Sequence, residues 1–177
     1  ESFKANGATL NKDDKEKYRK LSMDLSMLTL QFDQNALKDK NRFELLITDE
    51  NELSGLPESA RDAAAMLAKS KDKNGWLFNL SAPSYIPFMR YSDKRDLREK
   101  MYREYMSVGN KGDEFDNKDI IKKIVNIRLE IAQLMGFKNY AEYALEHTMA
   151  KNSANVYKLL NQLLEAYKPI AINEYNA

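Results

Sequence analysis

The chain has 177 residues, which is long enough for one domain with a substantial core. Lys and Arg number 28 and Asp and Glu number 27, so the net charge of +1 gives no reason to expect a nucleic acid or an anionic membrane as a partner. The absence of cysteine excludes disulfides, cysteine nucleophiles and cysteine-ligated zinc. No apolar run approaches the roughly 20 residues of a membrane-spanning helix.

The N-terminal residues show no signal peptide. We therefore expect a cytoplasmic protein, with the periplasm as the alternative if residues that precede Glu1 have been removed. The sequence also shows no internal repeat and no low-complexity linker, so we expect residues 1–177 to form a single helical domain.

The first strong pattern predicts a long helix over residues 13–38. Its apolar residues form two adjacent stripes, Leu21, Leu25, Leu28 and Phe32 in one and Met23, Met27 and Leu30 in the other. An apolar surface this broad predicts burial on more than one side of the helix. A stripe that contains methionines is alternatively suited to binding a partner.

Two short apolar runs, at residues 43–48 and 76–80, have the length of strands and lack helical caps. Between them Pro57 suits the first turn of a helix that we predict to end at residue 71. Alanines on its inner side would let this helix lie close over the strands. We predict that the two runs pair as a small antiparallel sheet covered by helices, in a mainly α, multi-helical fold.

Pro83 and Pro87 belong to an apolar, aromatic segment that ends at Tyr91. Pro83 could open a short helical turn, whereas Pro87 fits only in a first turn. The aromatic side chains either line a substrate groove or simply pack, because aromatics are large contributors to any core.

The next helix is predicted to begin after Ser92 or Asp93 as its cap and to end near residue 108. Three of its basic residues, Arg95, Arg98 and Arg103, either recognise a peptide carboxylate or form solvated ion pairs. The residues alone leave both interpretations open.

A helix–turn–helix pattern occupies residues 115–150. Asn117 is predicted to cap the first helix, Gly136 to close it, and Asn139 to cap a second helix up to residue 150. The inner stripe of the first helix consists of Ile120, Ile124, Ile127, Ile131 and Leu134. We predict two buried helices that meet at a tight corner.

The last predicted helix begins after Asn152 or Ser153 and has a strong apolar face. Pro169 is expected to interrupt or kink it. The face is formed by Val156, Leu159, Leu160, Leu163, Leu164 and Tyr167. Such a face needs a partner, either in this chain or in a further part of the polypeptide.

His147 is the single histidine of the chain. A zinc site on one helix needs ligands on one face, such as two histidines four residues apart, but Glu146 and His147 are adjacent and point about 100° apart. Glu142 and Glu146 could hold a cation or could simply face solvent. Ser153 is the serine nearest to His147 in sequence, and nothing specifies a catalytic triad.

A second acidic group resembles a calcium loop only in its charge. It consists of Asp113, Glu114, Asp116 and Asp119. The glycine and the terminal glutamate of an EF-hand are missing at the required spacing, so we expect no calcium site.

Six short runs, in the same order along the chain, resemble one family of zinc oligopeptidases. They are ELSGLPES at 52–59, WLFNLSAPSYIPFMRYSDKRDLREKMYREY at 76–105, FDN at 115–117, IRLEIAQLMGF at 127–137, YAEY at 140–143 and MA at 149–150. The family includes thimet oligopeptidase, neurolysin, oligopeptidase A and the bacterial peptidyl-dipeptidases. The peptidyl-dipeptidase branch resembles the chain most, through TDENELSGLPES at 48–59 and APSYIPFMRY at 82–91.

The resemblance implies part of a neurolysin-like helical fold, upstream of the family's HExxH motif. In that family the HExxH helix and a later Glu hold zinc, which activates water for the hydrolysis of short peptides. His147 is followed by Thr148, so this chain lacks both histidine ligands of the motif. We therefore expect zinc in the parent enzyme only, and no catalytic, cofactor-binding or metal-binding residue here.

Two functions follow. The resemblance implies a non-catalytic segment of a zinc metallopeptidase of the peptidyl-dipeptidase or oligopeptidase type. Its partners would be the remainder of its own polypeptide and, for the parent enzyme, short peptides. The alternative, based on the residues alone, is a self-contained helical module that binds a protein partner and has no enzymatic activity.

Overall fold

The computed structural model describes residues 7–177, and these form seven α-helices and one two-stranded sheet. The helices are α1 (Lys12–Arg42), α2 (Glu58–Ser70), α3 (Ala82–Tyr91), α4 (Arg95–Met106), α5 (Lys118–Leu134), α6 (Tyr140–Leu145) and α7 (Ser153–Asn176). The strands are β1 (Leu45–Ile47) and β2 (Trp76–Phe78), and a 3₁₀ helix (Glu50–Leu53) follows β1. The predicted mainly α fold with one small antiparallel sheet is confirmed.

Contacts between residues group the chain into two compact units. The first contains residues 1–28 and 123–177, of which 1–6 lie outside the described residues, and the second contains residues 29–122. Helices α1 and α5 each contribute residues to both units. The expectation of a single domain over residues 1–177 stays a prediction.

The second unit is built around the antiparallel pair of strands, in which Leu45 pairs with Phe78 and Ile47 with Trp76. Helix α2 lies against β2. Its buried Ala64 and Ala68 are small enough to allow this close approach. Of the predicted inner residues Ala60, Ala63, Ala64 and Leu67, only Ala64 is buried and Ala63 is exposed. The core of the unit is formed by Phe43, Leu45, Ile47, Leu53, Leu56, Ala64, Phe78, Leu80, Phe88 and Met101.

The turn at Gly55 joins the 3₁₀ helix to α2 and also contacts the end of α3. Gly55 has a φ of +83°, and a Cβ at this position would lie 2.2 Å from the carbonyl oxygen of Tyr91. The Ser54 hydroxyl donates to the Asp93 carboxylate at 2.6 Å, and the Asp93 backbone N–H donates to the Ser54 carbonyl at 2.9 Å. The SGLPES run therefore has a structural role.

The cap of α4 differs from the prediction. Asp93 accepts from Ser54, and the buried Ser92 accepts only weakly, at 3.3 Å, from the backbone N–H of Lys94. The helix begins at Arg95, with Lys94 in the capping position and no side-chain cap. The prediction of Ser92 or Asp93 as the cap is wrong, because Asp93 bonds to the distant Ser54 and the Ser92 hydroxyl bonds to Lys94, before the first residue of the helix.

A buried carboxylate fastens the C-terminal half of α1 to the loop after α4. Asp39 is fully buried and accepts the backbone N–H of Gly109 at 2.7 Å. Its other oxygen lies 2.7 Å from Arg42 Nη2 and 3.1 Å from Lys111 Nζ. Burial would lower the pKa of Lys111, but Glu104 and Asp39 more than offset this and raise it. Both oxygens of the Asp39 carboxylate thus have a partner among the described residues.

A buried amide reinforces the same junction. Asn117 donates from Nδ2 to the Phe32 carbonyl at 3.0 Å and accepts from the Asn35 amide at 3.1 Å. Its backbone N–H donates to the Gly109 carbonyl at 2.8 Å. Asn117 precedes α5, but its side chain bonds to α1, so the prediction that it caps α5 is wrong.

In α1 and α5 the inner stripes are confirmed and the broader ones are not. Leu21 in α1 is buried, whereas Met23 and Met27 are 61% and 70% exposed, so the predicted burial on two sides is wrong. Ile120 and Ile131 of α5 are buried, as the spacing predicted. The second apolar stripe of a helix stays exposed because no described element lies against it.

The corner after α5 follows the predicted local signals. Gly136 has a φ of +86°, and Phe137 N–H donates to the Ala132 carbonyl, which closes α5. Asn139 caps α6 by accepting the Glu142 N–H at 3.0 Å. Helix α6 ends at Leu145 rather than at residue 150 and has no buried residue, so the prediction of two buried helices is wrong for α6.

Helix α7 is capped by Asn152, as predicted, and continues unbroken past Pro169. No residue of α7 is buried. The exposed fractions of its leucines lie between 44% and 59% at Leu163, Leu160, Leu159 and Leu164. The predicted apolar face is therefore present and has little cover from the residues that the structure describes.

Replacing Gly55 by Ala tests the turn. The new Cβ meets a backbone oxygen at 2.2 Å, and alanine disfavours positive φ, so we expect the free energy of unfolding to fall by about 3 kcal/mol. Gly112→Ala is the matched control, because φ is +72° there and nothing lies within 4 Å of the new Cβ. Urea unfolding should show a loss of only about 1 kcal/mol for the control. Equal losses would contradict the close contact with Tyr91.

Asp39→Asn tests the buried carboxylate. The variant keeps the shape but places an amide beside Arg42 and Lys111, and breaking a buried ion pair costs about 3 kcal/mol or more. The control is Asp119→Asn, whose side chain is 85% exposed and should change the free energy of unfolding by less than about 0.5 kcal/mol. Similar small changes in both variants, measured by urea unfolding, would show that Asp39 is not central.

Candidate functional site

His147 lies in the turns that follow α6, beside one carboxylate. Its Nε2 is 3.5 Å from Glu146 Oε2, and both side chains are about half exposed. Glu142 points elsewhere, since its oxygens accept from the Lys138 N–H and the Asn139 amide. Across residues 7–177 no group of three His, Asp or Glu side chains is arranged to hold a metal ion.

The acidic residues after α4 form ion pairs and loop hydrogen bonds. Asp113 pairs with Arg42, and Asp119 pairs with Lys122 at 3.1 Å. Asp116 accepts from the ammonium and backbone N–H of Lys118 and from the Gly112 N–H, and these donors lower its pKa to about 2. Asp113, Asp116 and Asp119 thus each have their own cationic partner and do not converge on a shared cation site.

The FDN run at 115–117 belongs to this same loop. Phe115 packs under the guanidinium of Arg42, 5.1 Å from its ring centroid. Asp116 holds the turn and Asn117 bonds to α1, so all three residues have structural contacts.

Among the described residues, the only ion pair or hydrogen bond of His147 is with Glu146. Ser153 begins α7, and no hydrogen bond joins it to His147. These positions support no nucleophile–base pair.

The YAEY run at 140–143 forms an aromatic cluster with the end of α5. The Tyr143 ring lies 5.5 Å from Phe137 and 5.8 Å from Tyr140. Arg128 stacks over Tyr140 at 5.3 Å. Burial, together with a hydrogen bond to Tyr18, raises the pKa of Tyr143 well above its usual range. The ring contacts indicate a packing role for this tyrosine.

The aromatic segment of α3 divides between the core and the surface. Phe88 is fully buried and meets Phe78 edge to face at 4.7 Å, which fits the packing interpretation. Pro83 lies in the first turn of α3, and Pro87 lies inside the helix. Tyr91 is 45% exposed and lies beside Arg90. The segment is one helix, whose outer side chains remain open to a ligand.

The structure brings the three predicted arginines together. Between helices α3 and α4 lies an open cleft of about 370 Å³, which we call the arginine cleft. It is lined by Met89, Arg95, Arg98, Glu99, Tyr102 and Arg103. Arg103 pairs with Glu99 at 2.6 Å, which fits the interpretation of a solvated ion pair for this arginine. Arg98 donates to the Ser92 carbonyl. Arg95 has no hydrogen bond or ion pair among residues 7–177.

Aromatic residues on the same two helices extend this surface. The rings of Tyr85 and Tyr105 stack at 4.3 Å, and Lys40 lies 5.4 Å from the Tyr105 centroid. Burial and the neighbouring Tyr105 and Tyr102 raise the pKa of Tyr85. The sequence reasoning missed Tyr102, although its position four residues after Arg98 places both on one helical face. Of the surfaces described here, this one combines a cavity, unpaired charge and exposed aromatic rings.

No described helix is long and apolar enough to cross a membrane. Two exposed surfaces have side chains suited to binding a ligand or a partner: the arginine cleft with its aromatic neighbours in the second unit, and the apolar face of α7 in the first unit.

Comparisons with known proteins place these features in a family. The sequence model of Peptidase family M3 matches residues 88–177. Oligopeptidase A of Haemophilus influenzae is 39% identical over 171 residues, which cover 94% of this chain and 25% of that protein. The probable cytosolic oligopeptidase A of Arabidopsis thaliana is 42% identical over 151 residues, 81% of this chain and 21% of that protein. Dipeptidyl carboxypeptidase of Escherichia coli is 30% identical over 169 residues, 95% and 25% of the two chains.

The chain spans about a quarter of the length of these curated relatives. The identities favour oligopeptidase A over dipeptidyl carboxypeptidase, so the prediction that the peptidyl-dipeptidase branch fits best is corrected. That prediction depended on two short runs, and the longer alignment averages over the whole chain. Because the family model covers half of the chain and the resembling motifs agree with it, this protein belongs to peptidase family M3, the zinc oligopeptidases.

Proposed function

We propose that this chain is a non-catalytic upstream segment of a zinc-dependent oligopeptidase that hydrolyses short peptides. One observation carries the proposal: the chain matches about a quarter of oligopeptidase A yet contains a single histidine and no HExxH motif. The relatives are named as oligopeptidases and dipeptidyl carboxypeptidases, which supports short peptides as the substrates of the parent enzyme.

The residues present do not fit a zinc ion. A catalytic zinc needs about three protein ligands, and His147 has only the adjacent Glu146 beside it. The metal of the parent enzyme would therefore be held by residues elsewhere in its polypeptide. In this proposal the chain contributes binding surface and support, and no step of peptide hydrolysis takes place on it.

The remainder of the polypeptide is the proposed partner of α7. Leu159, Leu160, Leu163 and Leu164 present a continuous apolar face without a described partner. Exposed apolar area of this kind usually marks an interface. A parent about four times longer supplies ample chain to cover it.

A second candidate function is a self-contained helical module that binds another protein. The same exposed face of α7 favours it, because an independent module could use that face for a partner. It offers no reason for the match to the M3 family over residues 88–177, which the first proposal explains.

We place the parent in the cytoplasm, with the periplasm as the alternative. One Arabidopsis relative is named cytosolic and another organellar, so the family name alone does not fix the compartment.

Two experiments test the proposal, and the first measures peptidase activity. The 177-residue chain should neither cleave a quenched fluorescent peptide nor retain stoichiometric zinc after dialysis, because it lacks a ligand set. Escherichia coli oligopeptidase A serves as the positive control in the same assay. Cleavage by the purified chain that is abolished by EDTA and restored by zinc would refute the proposal.

The second prediction separates the two candidate functions. If α7 packs on the remainder of its polypeptide, the 177-residue chain should self-associate through this apolar face, and Leu160→Glu with Leu164→Glu should weaken the association. The control is Lys158→Glu, which changes an exposed charge on the same helix. Sedimentation equilibrium that shows a monomer, combined with one sharp unfolding transition, would instead favour the self-contained module.

A further inference from the structure

The arginine cleft contains more guanidinium groups than carboxylates to pair with them. Three guanidinium groups, from Arg95, Arg98 and Arg103, face a single carboxylate, that of Glu99. Both Nε and Nη2 of Arg103 bond to the same Glu99 oxygen, at 2.7 and 2.6 Å. Glu99 lies four residues after Arg95, the spacing of a helical ion pair, but it is turned toward Arg103. All N–H donors of the Arg95 guanidinium are therefore without a partner among the described residues.

Arg98 is positioned rather than neutralised. It is only half-buried, and it donates to the carbonyl of Ser92, a buried residue at the start of the turn between the two helices. A carbonyl oxygen fixes the guanidinium in place without cancelling its charge. The cleft thus presents one free and one oriented guanidinium, and a guanidinium binds carboxylates through two parallel hydrogen bonds.

The lining next to these charges is apolar and aromatic. Met89 of α3 is half-buried and contributes the apolar part of the cleft, and Tyr102 is 49% exposed beside Arg98. The stacked pair Tyr85–Tyr105 lies on the same two helices. A ligand complementary to this surface has a carboxylate next to an apolar or aromatic group.

We propose that the arginine cleft between α3 and α4 binds the C-terminal carboxylate of a short peptide whose last side chain is apolar or aromatic. Arg95 and Arg98 bind the carboxylate, and Met89 with Tyr102 contacts the last side chain. The volume of about 370 Å³ is enough for one or two residues of a peptide. The assignment depends on these six residues alone, so it can fail while the proposed peptidase family role stands, and the reverse also holds.

The test titrates the 177-residue chain with N-acetyl-Ala-Phe acid and, separately, with N-acetyl-Ala-Phe amide. Arginine Nε–Hε NMR signals report binding directly. We expect the acid to shift a small set of arginine signals with saturation and to bind at least tenfold tighter than the amide. Equal binding of the two peptides, or no saturable shift by the acid, would overturn the proposal. Inorganic phosphate forms a third arm, and tighter binding of phosphate than of the acid would overturn the assignment to a peptide.

Variants then locate the site. Arg95→Gln removes a charge with no internal partner, so folding should be unaffected and the affinity for the acid should fall at least fivefold. Arg95→Lys keeps the charge but loses the two-pronged geometry, and an intermediate loss is expected. Arg19→Gln on α1 is the matched control and should bind like the unmodified chain, because Arg19 is exposed and does not line the arginine cleft. Unchanged affinity in both Arg95 variants would overturn the proposal.

Discussion

The second unit depends on one buried negative charge. Burying an isolated carboxylate costs several kcal/mol, so Asp39 can be fully buried only if donors surround it. Arg42, Lys111 and the Gly109 N–H provide them, and they come from α1 and from the loop after α4. Placing this loop correctly also places Asn117 against α1. The register of α1 against the loop therefore follows from satisfying one carboxylate.

The motifs that relate this chain to the M3 family are mainly structural in this part of the molecule. Gly55 of the SGLPES run fits where no Cβ can, and Asn117 of the FDN run bonds across to α1. Tyr143 of the YAEY run is held by rings and by Tyr18. The contacts of these residues stabilise the fold of this part of the molecule. The candidate ligand surface also belongs to a family-resembling run, at 76–105, where Arg95 and Arg98 were candidates for binding a peptide carboxylate.

Local signals in the sequence predicted the elements well, and distant contacts account for what the prediction missed. Gly136 and Asn139 act within a few residues of their own positions, so their roles could be predicted. Asn117 could not, because its side-chain partners lie 82 and 85 residues away. The sequence could name Arg95 and Arg98 as candidates for a peptide carboxylate, but the contribution of Met89 depends on how α3 packs against α4. Periodicity likewise showed that Met23 belongs to an apolar stripe without showing that nothing described covers it.

We propose that this scaffold belongs to a longer enzyme whose metal site lies elsewhere in the polypeptide. The most direct measurement is to sequence the gene beyond the codon for Ala177. We expect an open reading frame with an HExxH motif in a predicted helix, followed by a further helical glutamate that completes the zinc ligands. A stop codon directly after Ala177 would contradict it and would leave a family M3 scaffold that acts by binding alone.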